Sequence, residues 1–154
     1  MSGQIDARLA ELGVEIPDAP TPAANYVPHV RSGDLVFISG QIPMTADGMI
    51  QGKLGAGFAV EDGQKAAKVC AINLIAQMKA ACGGDLDKVA RVVKLTGFVN
   101  SAPDFPDHPK VVNGASDFIV EVFGDKGRHS RSAVGVANLP FGVAVEVEGI
   151  IEIA

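Results

Sequence analysis

HSRSAVGVANLPFGVAVEVEGIIEIA, residues 129–154, closes the chain and decides how its sheet is read. Two runs of strand-forming residues flank a Leu-Pro-Phe-Gly turn. Alternate positions of a strand share a face, so Arg131, Ala133, Gly135 and Ala137 point one way. Three small residues after an arginine leave room for a ligand or a neighbouring subunit. In the second run Val145, Val147, Gly149 and Ile151 point one way, and Glu146, Glu148 and Ile150 the other. Taken as a hairpin, the pair has two registers. With residues 138–141 looped out, Ala137 pairs with Gly142 and Arg131 shares a face with Glu146 and Glu148. One more looped residue turns both glutamates to the other side. Spacing leaves the choice open. The plainest account of the alternation is a solvated antiparallel face with Arg and Glu as cross-strand neighbours.

Upstream, residues 108–123 show Val111, Val112, Ala115, Phe118, Ile119 and Val122 on one helical face. Asp107 or His108 can cap that helix, Pro109 suits its first turn, and Gly124 stops it. RVVKLTGFVN, residues 91–100, is rich in β-branched residues and reads as a strand. From 60 to 82, Ala67, Cys70, Leu74, Met78 and Ala81 recur at helical spacing, and Gly83-Gly84 ends the run. Residues 41–57 are glycine-rich without periodicity and read as a loop. YVPHV and LVFISG, around Ser32-Gly33-Asp34, read as a hairpin. A Pro- and Ala-rich connector at 17–28 should run extended, after a short helix from Asp6 to about Gly13. Strands interleaved with two long helices predict an α/β (α+β) domain, one sheet with both helices on one face. The whole chain, 1–154, reads as a single domain.

Composition narrows the function. The chain is 47% hydrophobic with no Trp, so its aliphatic surface is expected to be shared between copies. A net charge of −5 argues against a nucleic-acid partner, whose phosphates call for a basic footprint. No run is long and apolar enough for a signal peptide or a bilayer span, so the expectation is cytoplasmic, with no membrane partner. Cys70 and Cys82 lie on one helix, roughly 18 Å apart along its axis, too far to pair. No metal-ligand cluster, phosphate loop, HExxH, CxxC or GxSxG motif is present. His29 and His108 read as structural or exposed, and His129, near the arginine, receives no role.

Four separated motifs resemble the RidA (YjgF-type) family of reactive intermediate deaminases. They are ISGQIP at 38–43, FVNSAPDF at 98–105, RSAVGVANLP at 131–140 and VEVEGIIEI at 145–153, with Tyr26 and Asn113 at matching places. The resemblance spans about 26–154, and residues 1–25 look like an N-terminal extension. It implies a chorismate-mutase-like fold, a homotrimer with sites between subunits, and hydrolysis of enamines or imines of 2-amino acids to 2-keto acids and ammonia. No cofactor and no metal are implied. Arg131 would grip the substrate carboxylate, since its planar fork binds carboxylates bidentately. Glu146 would hold and polarise the attacking water. Backbone groups at Gly40 and Ala133 would orient the planar substrate, with Ser39, Tyr26 and Asn113 lining the pocket. Ala133 stands where the family often has cysteine, Gly135 where it often has an acid, and Asn138 where it often has a base. Two other readings stand beside this one: a non-catalytic trimer that uses the same arginine to bind a small carboxylate, and a ribonuclease or translation inhibitor, which would need a separate site and which the acidic composition counts against.

Overall fold

The computed structural model describes residues 3–22 and 24–154. Residues 1, 2 and 23, all within the segment expected to be an N-terminal extension, lie outside the described residues. The elements run α1 (Gln4–Glu11), β1 (His29–Ser32), β2 (Leu35–Gln41), β3 (Met44–Thr45), β4 (Gly48–Met49), α2 (Val60–Ala81), β5 (Val89–Asn100), α3 (His108–Phe123), β6 (Ser130–Val136) and β7 (Val145–Ile153). Five strands form one mixed sheet in the order β1-β2-β7-β5-β6, and β3 with β4 makes a separate small ribbon.

The sheet order corrects the hairpin reading of the C-terminus. β6 and β7 are not neighbours, because β5 lies between them: parallel to β6, antiparallel to β7. Parallel pairing needs a crossover, and α3 supplies it. The connection from β6 to β7 then passes over the end of β5. Asn100 N–H donates to the Ala144 carbonyl at 2.9 Å and Ser101 N–H to that of Val136 at 3.2 Å. Alternation marks which face a residue takes but not which strand lies beside it. For that reason neither predicted register applies.

Leu95 pairs with Arg131 on one side and Gly149 on the other, while Phe98 pairs with Val134 and Glu146. Arg131, Ala133 and Gly135 therefore face the helices, and Glu146 and Glu148 take the opposite, open face. The helical face holds the core: Val36, Val92, Leu95, Val147 and Ile151 pack with Leu74, Met78, Val112 and Ile119 of α2 and α3, all essentially inaccessible. α2 and α3 approach closely at Gly114, where a Cβ would strike the Gln64 backbone. The open face leaves Val30, Phe37 and Val134 exposed.

Other differences are local. Residues 41–57 hold the β3–β4 ribbon, closed by Thr45 Oγ1 donating to the Gly48 carbonyl at 2.9 Å. β1 begins at His29, so Tyr26 and Val27 precede it. β5 starts at Val89, two residues before the predicted strand. Asp107 takes the N-cap position of α3 without a side-chain capping bond, and Pro109 sits in the first turn. α1 docks by its N-terminus: the Asp87 carboxylate accepts from Gln4 N–H and Ile5 N–H, each at 2.9 Å. Those two bonds hold the Asp87 carboxyl below its ordinary range. Cys70 and Cys82 are both free and buried.

Candidate functional site

Two clusters of polar residues stand out, one around Glu146 at the bulged end of β2 and one around Arg131 on the helical face. The first lies where β2 leaves its register with β7. Ile38 pairs with Gly149 but Gln41 pairs with Val147, so β2 carries one extra residue between them. Such a bulge re-aims the backbone. Here it brings Gly40 against Glu146: a Cβ on Gly40 would stand 2.8 Å from Glu146 Cδ and 3.0 Å from Cγ. Only hydrogen at that position lets the carboxylate lie flat on the strand. Ser39 is fixed beside it, its N–H donating to the Pro28 carbonyl at 2.9 Å and its Oγ to that of Val27 at 3.3 Å.

Glu146, Ser39, Gly40 and Tyr26 line one cavity of about 460 Å³. Its other walls are the connector at Pro20, Thr21 and Pro22, the start of the β3–β4 ribbon, Asn73 and Gln77 of α2, and Phe141. Burial, and then the Glu148 carboxylate, push the Glu146 carboxyl above its ordinary value. Burial above all, with Glu146 next, raises the nearby Cys70 thiol well above its usual value. Cys70 is thus a neutral thiol, donating to the Val145 carbonyl at 3.5 Å.

The second cluster surrounds Arg131. Its Nη1 donates to Asn113 Oδ1 at 2.8 Å and to Ser116 Oγ at 3.2 Å, and its Nη2 to the Pro109 carbonyl at 3.4 Å. Behind it, Ser116 Oγ lies 2.9 Å from His129 Nε2, while His129 Nδ1 lies 2.6 Å from the Gly127 carbonyl. A carbonyl can only accept, so Nδ1 carries a proton, and in the neutral imidazole Nε2 accepts from the serine hydroxyl. The guanidinium is steered by neutral groups, and among the described residues no carboxylate pairs with it. Ala133 packs against the core one step along β6. Beyond it, Gly135 leaves room for Ser101 Oγ to meet His108 Nε2 at 3.1 Å; a Cβ at Gly135 would lie 2.7 Å from that Oγ. Any side chain there, acidic or not, would displace the pair.

The structure thus gathers Tyr26, Ser39, Gly40 and Glu146 in one place and Arg131, Asn113 and Ala133 in another, on opposite faces of the same sheet. Sequence reasoning passed over Ser116 and gave His129 no role. It also passed over Asn73 and Gln77, although two carboxamides at i, i+4 inside an apolar helical stripe are a readable signal. Among the described residues no group of three or more metal-ligating side chains comes together, and no helix is long and apolar enough to cross a membrane.

Comparison with known proteins agrees with this architecture. A family profile described as "YjgF/chorismate_mutase-like, putative endoribonuclease" matches residues 6–148. Protein TCP17 of Trypanosoma cruzi is 52% identical, covering 99% of this chain and 96% of its own. The crystal structure of protein Atu1372 from Agrobacterium tumefaciens superposes with a TM-score of 0.91 at 48% identity, over 97% of this chain and 92% of that one. A protein of Dermatophagoides farinae named 2-iminobutanoate/2-iminopropanoate deaminase is 30% identical, over 91% of this chain and 94% of its own. Fold, motifs and relatives agree: the chain belongs to the YjgF/RutC family and has its chorismate-mutase-like fold.

Proposed function

We propose that this protein hydrolyses reactive imines and enamines of 2-amino acids to 2-keto acids and ammonia, at sites completed between the subunits of a homotrimer. One observation carries the reading. A half-buried guanidinium is held by neutral hydrogen-bond partners and a half-buried carboxylate lies against Gly40, and neither meets an opposite charge among the described residues. Unpaired charges are costly to bury unless a ligand completes them.

In this scheme the Arg131 of one subunit binds the substrate carboxylate and leaves the imine carbon facing Glu146 of the next. Glu146 accepts a proton from water as the oxygen adds to that carbon. On the protonated imine, to which an enamine first tautomerises, this gives a neutral carbinolamine; Glu146 hands its proton to the nitrogen, ammonia leaves with the C–N electron pair, and Glu146 takes the hydroxyl proton as the carbonyl forms. A carboxyl raised by burial and by Glu148 is a stronger base than a solvated one, which suits proton abstraction near neutral pH. No step calls for a metal or an organic cofactor. Tyr26 and Ser39 border the reacting carbon, and the backbone at Gly40 and Ala133 orients the substrate plane. The trimer draws support from the open sheet face, where Val30, Phe37 and Val134 need a cover that other copies of the chain supply.

The test is 2-keto acid release from 2-iminobutanoate and 2-iminopropanoate generated in situ, measured against the spontaneous rate. Acceleration lost in Glu146→Gln supports the proposal. An unchanged spontaneous rate beside tight 2-keto acid binding would instead favour the binding-protein reading. Sedimentation equilibrium checks the assembly, and a monomer at micromolar concentration would refute the shared site.

A further inference from the structure

We infer that the deep end of the Glu146 cavity is a side-chain subsite, and that the substrates are long-chain 2-imino acids with an apolar stem and a neutral hydrogen-bond-donating tip. The inference rests on the reading of Glu146 as the reacting end. Its first support is size. A cavity of about 460 Å³ falls within the ~300–1,000 Å³ range that takes drug-sized ligands, and far exceeds the two-carbon side chain of 2-iminobutanoate. Leading away from Glu146, its walls are Pro20, Pro22, Ile42, Met44 and Met49, which suit a hydrocarbon stem.

The second support lies at the far wall. Gln77 is 1% exposed. Its Nε2 donates to the Pro20 carbonyl at 2.8 Å, which fixes the amide's orientation and leaves Oε1 buried without a donor among the described residues. Asn73, one turn earlier, spends its amide hydrogens on the Ile42 and Met44 carbonyls at 2.9 and 3.1 Å. Its oxygen is then all it can offer a ligand. Gln77 thus borders the cavity with a buried acceptor that no donor among the described residues meets, Asn73 adds a second uncommitted oxygen, and native interiors rarely leave such an acceptor orphaned. The tip must be uncharged, because Glu146 is the only acid lining the cavity among the described residues, and it is engaged at the other end. An ammonium or guanidinium there would be buried without a counter-charge. The connector that precedes β1 forms one wall and is tied to α2 through Gln77, so this connector shapes the subsite.

Calorimetry of the full-length protein with stable 2-keto acids reads this directly. 2-Oxohexanoate should bind about tenfold more tightly than 2-oxobutanoate from its two added methylenes. 6-Hydroxy-2-oxohexanoate should bind more tightly still. Gln77→Leu should erase the hydroxyl's advantage and keep the gain from the stem. Met49→Trp, which fills the cavity, should reject both long acids and spare 2-oxobutanoate. Long acids that bind no better than 2-oxobutanoate would overturn the subsite alone, as would a hydroxyl advantage that persists in Gln77→Leu. If no 2-keto acid binds and Glu146→Gln hydrolyses imines at full rate, the underlying assignment falls, and the subsite with it.

Discussion

Gly40→Ala isolates the role of the bulge in β2. The new Cβ would stand 2.8 Å from Glu146 Cδ, 3.0 Å from Cγ and 3.2 Å from Oε1. Ordinary contact between carbons is about 3.5–4.0 Å, so the carboxyl group must retreat by about 1 Å. The backbone itself has no need of glycine, since Gly40 is not among the positive-φ residues. The atoms in the way are the far end of a flexible side chain, so the fold should absorb the change, and the loss of unfolded-state freedom adds about 0.4–1 kcal/mol of stability. A displacement of about 1 Å in a reacting group costs roughly a hundredfold in rate, or about 2.7 kcal/mol. We therefore expect kcat for imine hydrolysis to fall about a hundredfold while Tm holds or rises slightly. The double variant with Glu146→Gln should be no slower than Glu146→Gln alone, because both act on one carboxylate. Full activity in Gly40→Ala would refute the placement of Glu146. A raised KM with unchanged kcat would show that the methyl group blocks substrate instead.

Five further outcomes follow from the geometry. Glu146 must be ionised to act as base, and the Glu148 charge helps raise its pKa, so Glu148→Gln should move the acidic limb of the pH–rate profile to lower pH. Stability linked to a raised carboxyl is present below its unfolded value near 4.5 and lost as pH rises through the folded one, so Glu146→Gln should raise Tm at neutral pH. Arg131→Lys should lose most activity through KM, while Ser116→Ala should raise KM a few-fold and leave kcat intact; a kcat effect alone would contradict a purely orienting serine. The Asp87 carboxyl is depressed by its bonds to α1, so its contribution is present above its unfolded value near 3.8 and disappears as pH falls through the lower folded value. Hydrogen exchange at Gln4 and Ile5 should accelerate in that acid window, and Asp87→Asn should remove the pH dependence.

The two long helices were legible in the sequence because three- and four-residue spacing and terminal glycines agree with each other at both. Glu146 and Arg131 were legible as candidates through motif resemblance, and their faces through alternation. The neighbours of β7 were not. A strand buried on one face shows the same pattern whether β6 or β5 lies beside it, and only the crossover through α3 decides. The bulge between Ile38 and Gln41 was hidden for a related reason: ISGQ contains nothing that breaks period two until Gly40 meets Glu146 across the sheet. Ser116 and His129 are far apart in the chain, and their hydrogen bond exists only once α3 packs on β6.

Because Arg131 and Glu146 project from opposite faces of the sheet, the two of one chain do not serve the same substrate in the proposed assembly. This has a genetic consequence. Chains carrying Arg131→Ala still lend an intact Glu146 to a neighbour, and chains carrying Glu146→Gln still lend an intact Arg131. Each variant is inactive by itself. Refolded together in equal amounts, the two should regain about a quarter of the wild-type sites, the chance that both donors at an interface are sound. Two alleles that each abolish activity would thus complement one another in a single cell.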